Sequence, residues 1–180
     1  MAEAGRWETR WVLAAIVQGA LAALLVFYVV VSHFGLLKPE VSRVIAAGGA
    51  GTWLSFGFLA YLIVGVVGSA VTALFYHHIE GVRQVPITGI RAFFAWVHLI
   101  FGNAGSFAAT WMMMYGGYLG GAALLPPQVG GWGWTPLQVH ERILGPLVTP
   151  IALAILVLLA GFLSGGLAYV LSLREASKRK

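Results

Sequence analysis

Charged residues divide this chain into long, uncharged stretches of mainly hydrophobic residues. Four stretches contain no Asp, Glu, Lys or Arg: Trp11–Leu37, Val44–Ile79, Ala92–His140 and Ile143–Leu173. A helix needs about 20 apolar residues to cross a hydrocarbon core about 30 Å thick, and each stretch is long enough. The pattern therefore predicts an all-α, polytopic membrane protein with four transmembrane helices in a bundle.

The residues around these stretches indicate where the helices begin and end. We expect one transmembrane domain over residues 1–180, with helices at about 11–32, 53–77, 92–119 and 147–171. Pro39 and Gly48 favour a loop after the first helix, because proline and glycine interrupt helices. We expect Trp7 and Trp11 at the level of the lipid headgroups, where indole rings are enriched.

Composition supports a membrane protein and narrows its chemistry. Only 9% of the residues are charged and 59% are hydrophobic, with a mean hydropathy of +0.87. The chain has no cysteine, which excludes disulfides, thiolate metal sites and iron–sulfur clusters within it. Four spans use nearly all 180 residues, so we expect no separate domain in water.

Lys and Arg are unevenly divided between the two sides of the predicted topology. Eight of the 11 lie in the two tails and the second loop, and three lie in the first and third loops. Cytoplasmic loops are enriched in Lys and Arg, so we predict a multi-pass protein of the cell membrane with both termini cytoplasmic. The net charge of +5 indicates this topology and affinity for anionic lipid headgroups, with no nucleic-acid partner. The eight are Arg6, Arg10, Arg83, Arg91, Arg174, Lys178, Arg179 and Lys180, and the three are Lys38, Arg43 and Arg142.

Small residues recur on one face of several predicted helices. Helices in lipid associate through close packing over small residues, because hydrophobic burial gives little drive there. For any one face, packing inside this chain is the favoured interpretation and contact with another subunit is the alternative. With small faces on all four helices, we expect at least one contact with another chain. The predicted packing glycines are Gly65, Gly68, Gly102, Gly105, Gly116, Gly120, Gly161 and Gly165.

Two histidines are the candidate cofactor ligands. Counting back from His77 in steps of four reaches Ser69 and Gly65, and His98 lies four residues before Gly102, so both are predicted to face inward. Two imidazoles on neighbouring helices can hold a b-type haem. However, a turn near Pro86 places the two histidines at depths that differ by about 6 Å. This difference favours a structural role, with each histidine bonded to a neighbouring group, over haem binding.

The other polar residues indicate no catalytic site. Glu80 and Glu141 lie at span ends beside Arg83 and Arg142, which predicts interfacial ion pairs. Carboxylates are missing from the predicted mid-membrane region, so proton or ion coupling has no evident carrier. An enzyme acting alone is therefore not expected. A thin polar line on the third helix is predicted to bond between helices: Asn103, Ser106 and Thr110.

One resemblance to a known family involves about a quarter of the chain. The segment Ala95–Pro127 contains His98, Asn103-Ala104-Gly105, Ala109-Thr110-Trp111 and Tyr115-Gly116-Gly117-Tyr118. It resembles helices of the haem–copper oxidase subunit I family, as does Gly65–Glu80, which contains Phe75-Tyr76-His77-His78. That family's catalytic subunit has more helices and more ligating histidines than this chain. The resemblance implies a small companion subunit of a respiratory or oxygen-linked membrane complex.

Three functions from different classes follow. The favoured one is a non-catalytic integral membrane subunit of a larger complex, respiratory or electron-transferring, whose partners are the lipid bilayer and other membrane subunits. The second is a small b-type cytochrome or quinol-binding protein that uses His77 and His98. The third is a channel- or transporter-like oligomer, which the lack of buried charge disfavours.

Overall fold

Four long helices form the fold. The computed structural model describes residues 6–36 and 38–178, and these residues contain no β-strand. The spanning segments are Trp7–Leu36, Gly51–Val82, Ile90–Leu124 and Pro136–Ser177, each long and apolar enough to cross a membrane. The predicted all-α bundle of four transmembrane helices is confirmed.

We number the helices in chain order as α1 to α5. α1 is Arg6–Val31, and it is followed at Ser32–Leu36 by a turn in which Phe34 and Gly35 depart from helical geometry. α2 is Val41–Ala46. α3 consists of Gly51–Ala60, a π-helical segment at Tyr61–Val67, Gly68–His77 and a π-helical turn at His78–Val82. α4 is Ile90–Leu124, and a short 3-10 helix follows at Pro127–Val129. α5 consists of Pro136–Val139, a π-helical turn at His140–Leu144, and Gly145–Lys178.

Each spanning helix is longer than predicted. The predicted bounds rest on the apolar core alone, whereas the helices also include flanking charged residues such as Arg10 in α1, Glu80 in α3 and Glu141 in α5. α5 shows the largest difference, because it begins at Pro136 and not near residue 147. Thr135 caps it there: its hydroxyl accepts from the Gln138 backbone, and the Gln138 side chain accepts from the Thr135 backbone. This reciprocal capping box fixes the helix start.

The chain forms two compact units. The terminal unit comprises residues 6–19, 63–106 and 154–178, and the loop unit comprises residues 20–62 and 107–153. The core of the terminal unit contains Trp7, Trp11, Tyr76, Ile79, Val85, Ile87, Ala73, Ala95 and Ala168. A core cluster in the loop unit contains Ala50, Ala123 and Val139. α2, which was not predicted, adds the buried side chains of Val41 and Val44 to the loop unit.

In the terminal unit, α4 and α5 approach until their backbones touch. A Cβ atom added to Gly161 would lie 2.6 Å from the Gly102 nitrogen and 3.1 Å from its Cα. A Cβ added to Gly105 would lie 2.6 Å from the Leu158 nitrogen and 2.9 Å from the Ala154 oxygen. No side chain larger than hydrogen fits at either position without moving a helix. Glycine is therefore required at this crossing.

Other predicted glycines lie in varied surroundings. In the loop unit, a Cβ on Gly116 would lie 2.6 Å from Leu147, and one on Gly120 would lie 2.8 Å from Ala50. Gly65 is buried in the terminal unit. A Cβ on Gly68 would meet only a carbonyl of its own helix, at 3.4 Å, so the structure gives Gly68 no role in helix packing.

Replacing Gly161 by alanine should destabilise the protein, whereas the same change at Gly166 should not. Both glycines lie in α5, but a Cβ on Gly166 would meet nothing within 4 Å. Overpacking a tight site costs about 1–3 kcal/mol, so we expect Gly161→Ala to lower the free energy of unfolding by about that amount relative to Gly166→Ala. Reversible unfolding in detergent measures it. Equal stability of the two variants would contradict a backbone contact at this crossing.

Candidate functional site at the buried histidine

His98 lies inside the terminal unit and is only 7% exposed. Its ring lies 4.5 Å from the Trp11 ring and 6.1 Å from the Phe162 ring, measured between centroids. The Tyr76 hydroxyl and the His98 Nδ1 share a hydrogen bond of 3.3 Å. A Cβ on Gly165 would collide with the imidazole. Groups from α1, α3 and α5 therefore enclose this ring of α4.

The sequence places His98 here through helical spacing. His98 lies one turn before Gly102, so both residues share the face of α4 that meets α5. A Cβ on Gly102 would lie 3.5 Å from the imidazole and 3.5 Å from the Trp11 ring. Gly165 leaves the space that the imidazole fills. Small residues thus make room for the histidine as well as for the crossing.

His77 does not face inward, so its predicted orientation is wrong. Its side chain is 49% exposed, and its Nδ1 lies 2.8 Å from the Glu8 carboxylate of α1. The error comes from counting in steps of four, because each such step rotates about 40° past a full turn. Over three steps from Gly65, this drift moves His77 off the inner face. Ala73 and Tyr76 continue that face instead, and both are buried.

Glu80 holds the start of α1. Glu80 as a residue is 6% exposed, and its carboxylate accepts hydrogen bonds from the backbone N–H groups of Trp7, at 2.9 Å, and Glu8. The positive end of the helix dipole, at the start of α1, also stabilises a negatively charged carboxylate at this position. We predicted an ion pair between Glu80 and Arg83, but Glu80 is buried and caps α1, whereas Arg83 is exposed.

The two N-terminal tryptophans are buried inside the terminal unit. Trp7 is 3% exposed and Trp11 is 2% exposed. Trp7 packs edge-on against Trp96, with ring centroids 5.2 Å apart. The Arg10 guanidinium lies 4.4 Å from the Trp7 ring and 4.5 Å from the Trp96 ring, in cation–π geometry. These rings fill the space between α1, α3 and α4, which a pattern of Trp positions alone does not reveal.

Deeper along the terminal unit, Asn103 joins three helices. Its Oδ1 accepts from the Gln18 side chain of α1 at 3.0 Å and from the Ser69 hydroxyl of α3 at 3.3 Å. Its Nδ2 donates to the Leu99 carbonyl of α4 at 2.8 Å. Asn103 thus bonds between helices, as the polar line predicted. Gln18 was not predicted as a site residue, although a lone amide in an apolar helix is a usable sign of an inward position.

His77 and His98, the predicted cofactor ligands, lie in different surroundings. Among the described residues, no three His, Cys, Asp or Glu side chains are grouped as metal ligands. His77 is bonded to Glu8 at an exposed position, whereas His98 is bonded to Tyr76 in a packed interior. The structure therefore gives the two imidazoles separate hydrogen-bonding partners.

Comparisons with protein-family models, with curated proteins and with solved structures each find no match for this chain. The similarity to helices of haem–copper oxidase subunit I thus remains a prediction from the residues. Functional inference must rest on the geometry of the helices and on the charges along the chain.

The hydrogen bond between Tyr76 and His98 should contribute measurably to stability. Tyr76→Phe removes the hydroxyl and leaves the buried Nδ1 without this partner, which costs about 1–3 kcal/mol. Tyr115→Phe is the matched control, because Tyr115 is 61% exposed and should change stability little. Unfolding in detergent compares the two variants. If Tyr76→Phe were as stable as Tyr115→Phe, the bond would have no structural role.

Proposed function

We propose that this chain is a non-catalytic integral membrane subunit of a larger membrane complex. The observation that best supports the proposal is the enclosure of His98, the buried histidine. Its ring is packed on all sides by the chain's own helices and bonded to Tyr76. Asn103 and Glu80 are similarly engaged by Gln18 and Trp7. These three interior polar groups thus bond within the bundle and contribute to its stability.

The outer faces of the spanning helices are available to lipid and to other membrane subunits. α1 and α5 expose large apolar side chains along most of their length, with Phe27 66% exposed and Leu163 72% exposed. In a bilayer, such faces are covered by lipid chains or by neighbouring helices. The glycines at the α4–α5 crossing already pack against the facing helix of the same chain. Helices of a partner subunit would therefore contact the faces of α1 and α5 that carry large apolar side chains.

The resemblance to haem–copper oxidase helices suggests the kind of complex. On that basis we propose a respiratory or electron-transfer assembly, with this chain as a companion to redox subunits. A b-type cytochrome or quinol-binding protein remains the alternative, and a channel- or transporter-like oligomer is the other. No contact in the described residues favours either over the subunit proposal.

Extraction of the protein in mild detergent, followed by blue-native electrophoresis, distinguishes the three candidate functions. We expect the tagged 19.2 kDa chain, extracted from its own membranes in mild detergent, to migrate in blue-native electrophoresis far above its own mass. Other integral membrane polypeptides should co-migrate in fixed ratio, and redox cofactors should be found on those chains.

The isolated chain should be colourless. A Soret band in the purified chain that disappears in both His77→Ala and His98→Ala, and persists in His78→Ala, would establish the cytochrome instead. Migration as an oligomer of this chain alone, in an assembly without other polypeptides, would support the channel class and contradict a subunit role.

We also propose that the protein lies in the cell membrane with both termini cytoplasmic, on the basis of the Lys and Arg distribution. Ser42 and Ser177 are exposed, and three spans separate them, so they lie on opposite sides of the membrane. The chain has no native cysteine. In intact cells, an impermeant thiol reagent should label Ser42→Cys and should label Ser177→Cys only after lysis. The reverse pattern would invert the topology.

A further inference from the structure

The loop unit contains an apolar groove of about 210 Å³. Residues from α1, α2, α3 and α4 contribute to it, all within spanning segments except for α2. The wall consists almost entirely of hydrocarbon and aromatic carbon. The lining residues are Leu25, Tyr28, Val29, Val41, Leu54, Trp111, Met114, Tyr115 and Tyr118.

The groove has the dimensions of one extended hydrocarbon chain. On α4 its lining runs from Trp111 to Tyr118, a rise of about 10 Å along the helix axis. A groove of about 210 Å³ along this length has room for a narrow ligand such as a single acyl or isoprenoid chain. Pockets that enclose whole small molecules are larger, about 300–1,000 Å³. A helix, about 10 Å wide, cannot enter.

The surroundings of the groove select hydrocarbon over water. An apolar cavity offers water no hydrogen-bonding partners and therefore stays dry. The Tyr118 hydroxyl, the polar group at one end, already donates to the Pro39 carbonyl at 3.1 Å. Tyr28 and Tyr115 are 43% and 61% exposed, so the groove opens on the outside of the helices. In a bilayer, that opening faces lipid.

The end of the groove near Pro39 carries positive charge. Lys38 is exposed and directly precedes Pro39, and Val41 of the groove wall lies two residues before Arg43. Arg43 pairs with Glu40 at 3.6 Å, so the segment Lys38–Arg43 has a net charge of one positive unit. A phosphate held beside Lys38 would complement this charge.

We propose that this groove binds a membrane phospholipid, with one hydrocarbon chain lying along Trp111–Tyr118 and the phosphate beside Lys38. The narrow width and the apolar character of the hydrocarbon chain match those of the groove. The negative charge of the phosphate complements the positive charge near Lys38. The bound lipid fills the space between α1 and α4 in the loop unit and is retained when bulk lipid is removed by detergent.

Native mass spectrometry of the protein, washed extensively in detergent, tests the proposal. We expect one phospholipid to remain on the wild-type chain. Val29→Trp places an indole in the groove and should lower lipid affinity at least tenfold, because displacing about two methylene groups from an apolar site already weakens binding by about that factor. Val26→Trp, on the same helix at a position 45% exposed and outside the lining, should keep wild-type occupancy. Lys38→Gln should reduce retention of anionic phospholipid relative to zwitterionic.

Photo-crosslinking keeps the proposal testable if Val29→Trp fails to fold. The wild-type protein is reconstituted with phospholipid that carries a diazirine in one acyl chain, and adducts are mapped by peptide mass spectrometry. Adducts should concentrate on Trp111–Tyr118 and be reduced by unlabelled phospholipid. Equal lipid occupancy in the two tryptophan variants, adducts spread evenly over the exposed helices, or an isoprenoid quinone retained in place of phospholipid would each overturn the assignment.

Discussion

Contact between the backbones of α4 and α5 is the constraint on which the terminal unit depends. Hydrophobic burial gives helices in lipid little reason to associate, so close dispersion contact must hold them. Gly102, Gly105 and Gly161 allow the two backbones to touch. Since a helix presents neighbouring residues on one face, fixing this face of α4 also fixes the positions of His98 and Asn103.

Hydrogen bonds then determine how α1 and α3 pack against the pair formed by α4 and α5. An unpaired polar group in hydrocarbon costs several kcal/mol, so each one must find a partner inside the protein. Tyr76 bonds to His98, Ser69 and Gln18 bond to Asn103, and Glu80 bonds to the backbone of Trp7. These bonds lie at different levels and join α1, α3 and α4. Together these hydrogen bonds fix one axial register of the three helices. Apolar packing alone would allow the helices to slide along one another.

Much of the fold could be predicted from the sequence because the bilayer imposes a strong rule. The lack of charges between Val44 and Ile79, for example, leaves few options other than a spanning helix. The inward position of His98 followed from its spacing to Gly102. The same spacing argument failed for His77, because steps of four drift away from the true helical period over 12 residues.

Contacts between distant segments were not predictable in this way. Burial of Trp7 and Trp11 depends on rings supplied by α3 and α4, and the role of Glu80 depends on the position of the α1 terminus. Helix periodicity describes one helix at a time and does not include its neighbours. The groove beside Val29 likewise arises from four separate segments. Orientation in the membrane and the kind of complex remain predictions, since they depend on lipids and on other chains.

The cap supplied by Glu80 has a consequence for the order of assembly during synthesis. A helix begins with backbone N–H groups that lack intrahelical acceptors, and for Trp7 the acceptor lies 73 positions later in the chain. α1 is therefore synthesised well before its cap, and the Trp7 N–H group has no Glu80 acceptor until α3 has been made. Packing of the first turn of α1 is thus completed only after the second spanning helix has been made.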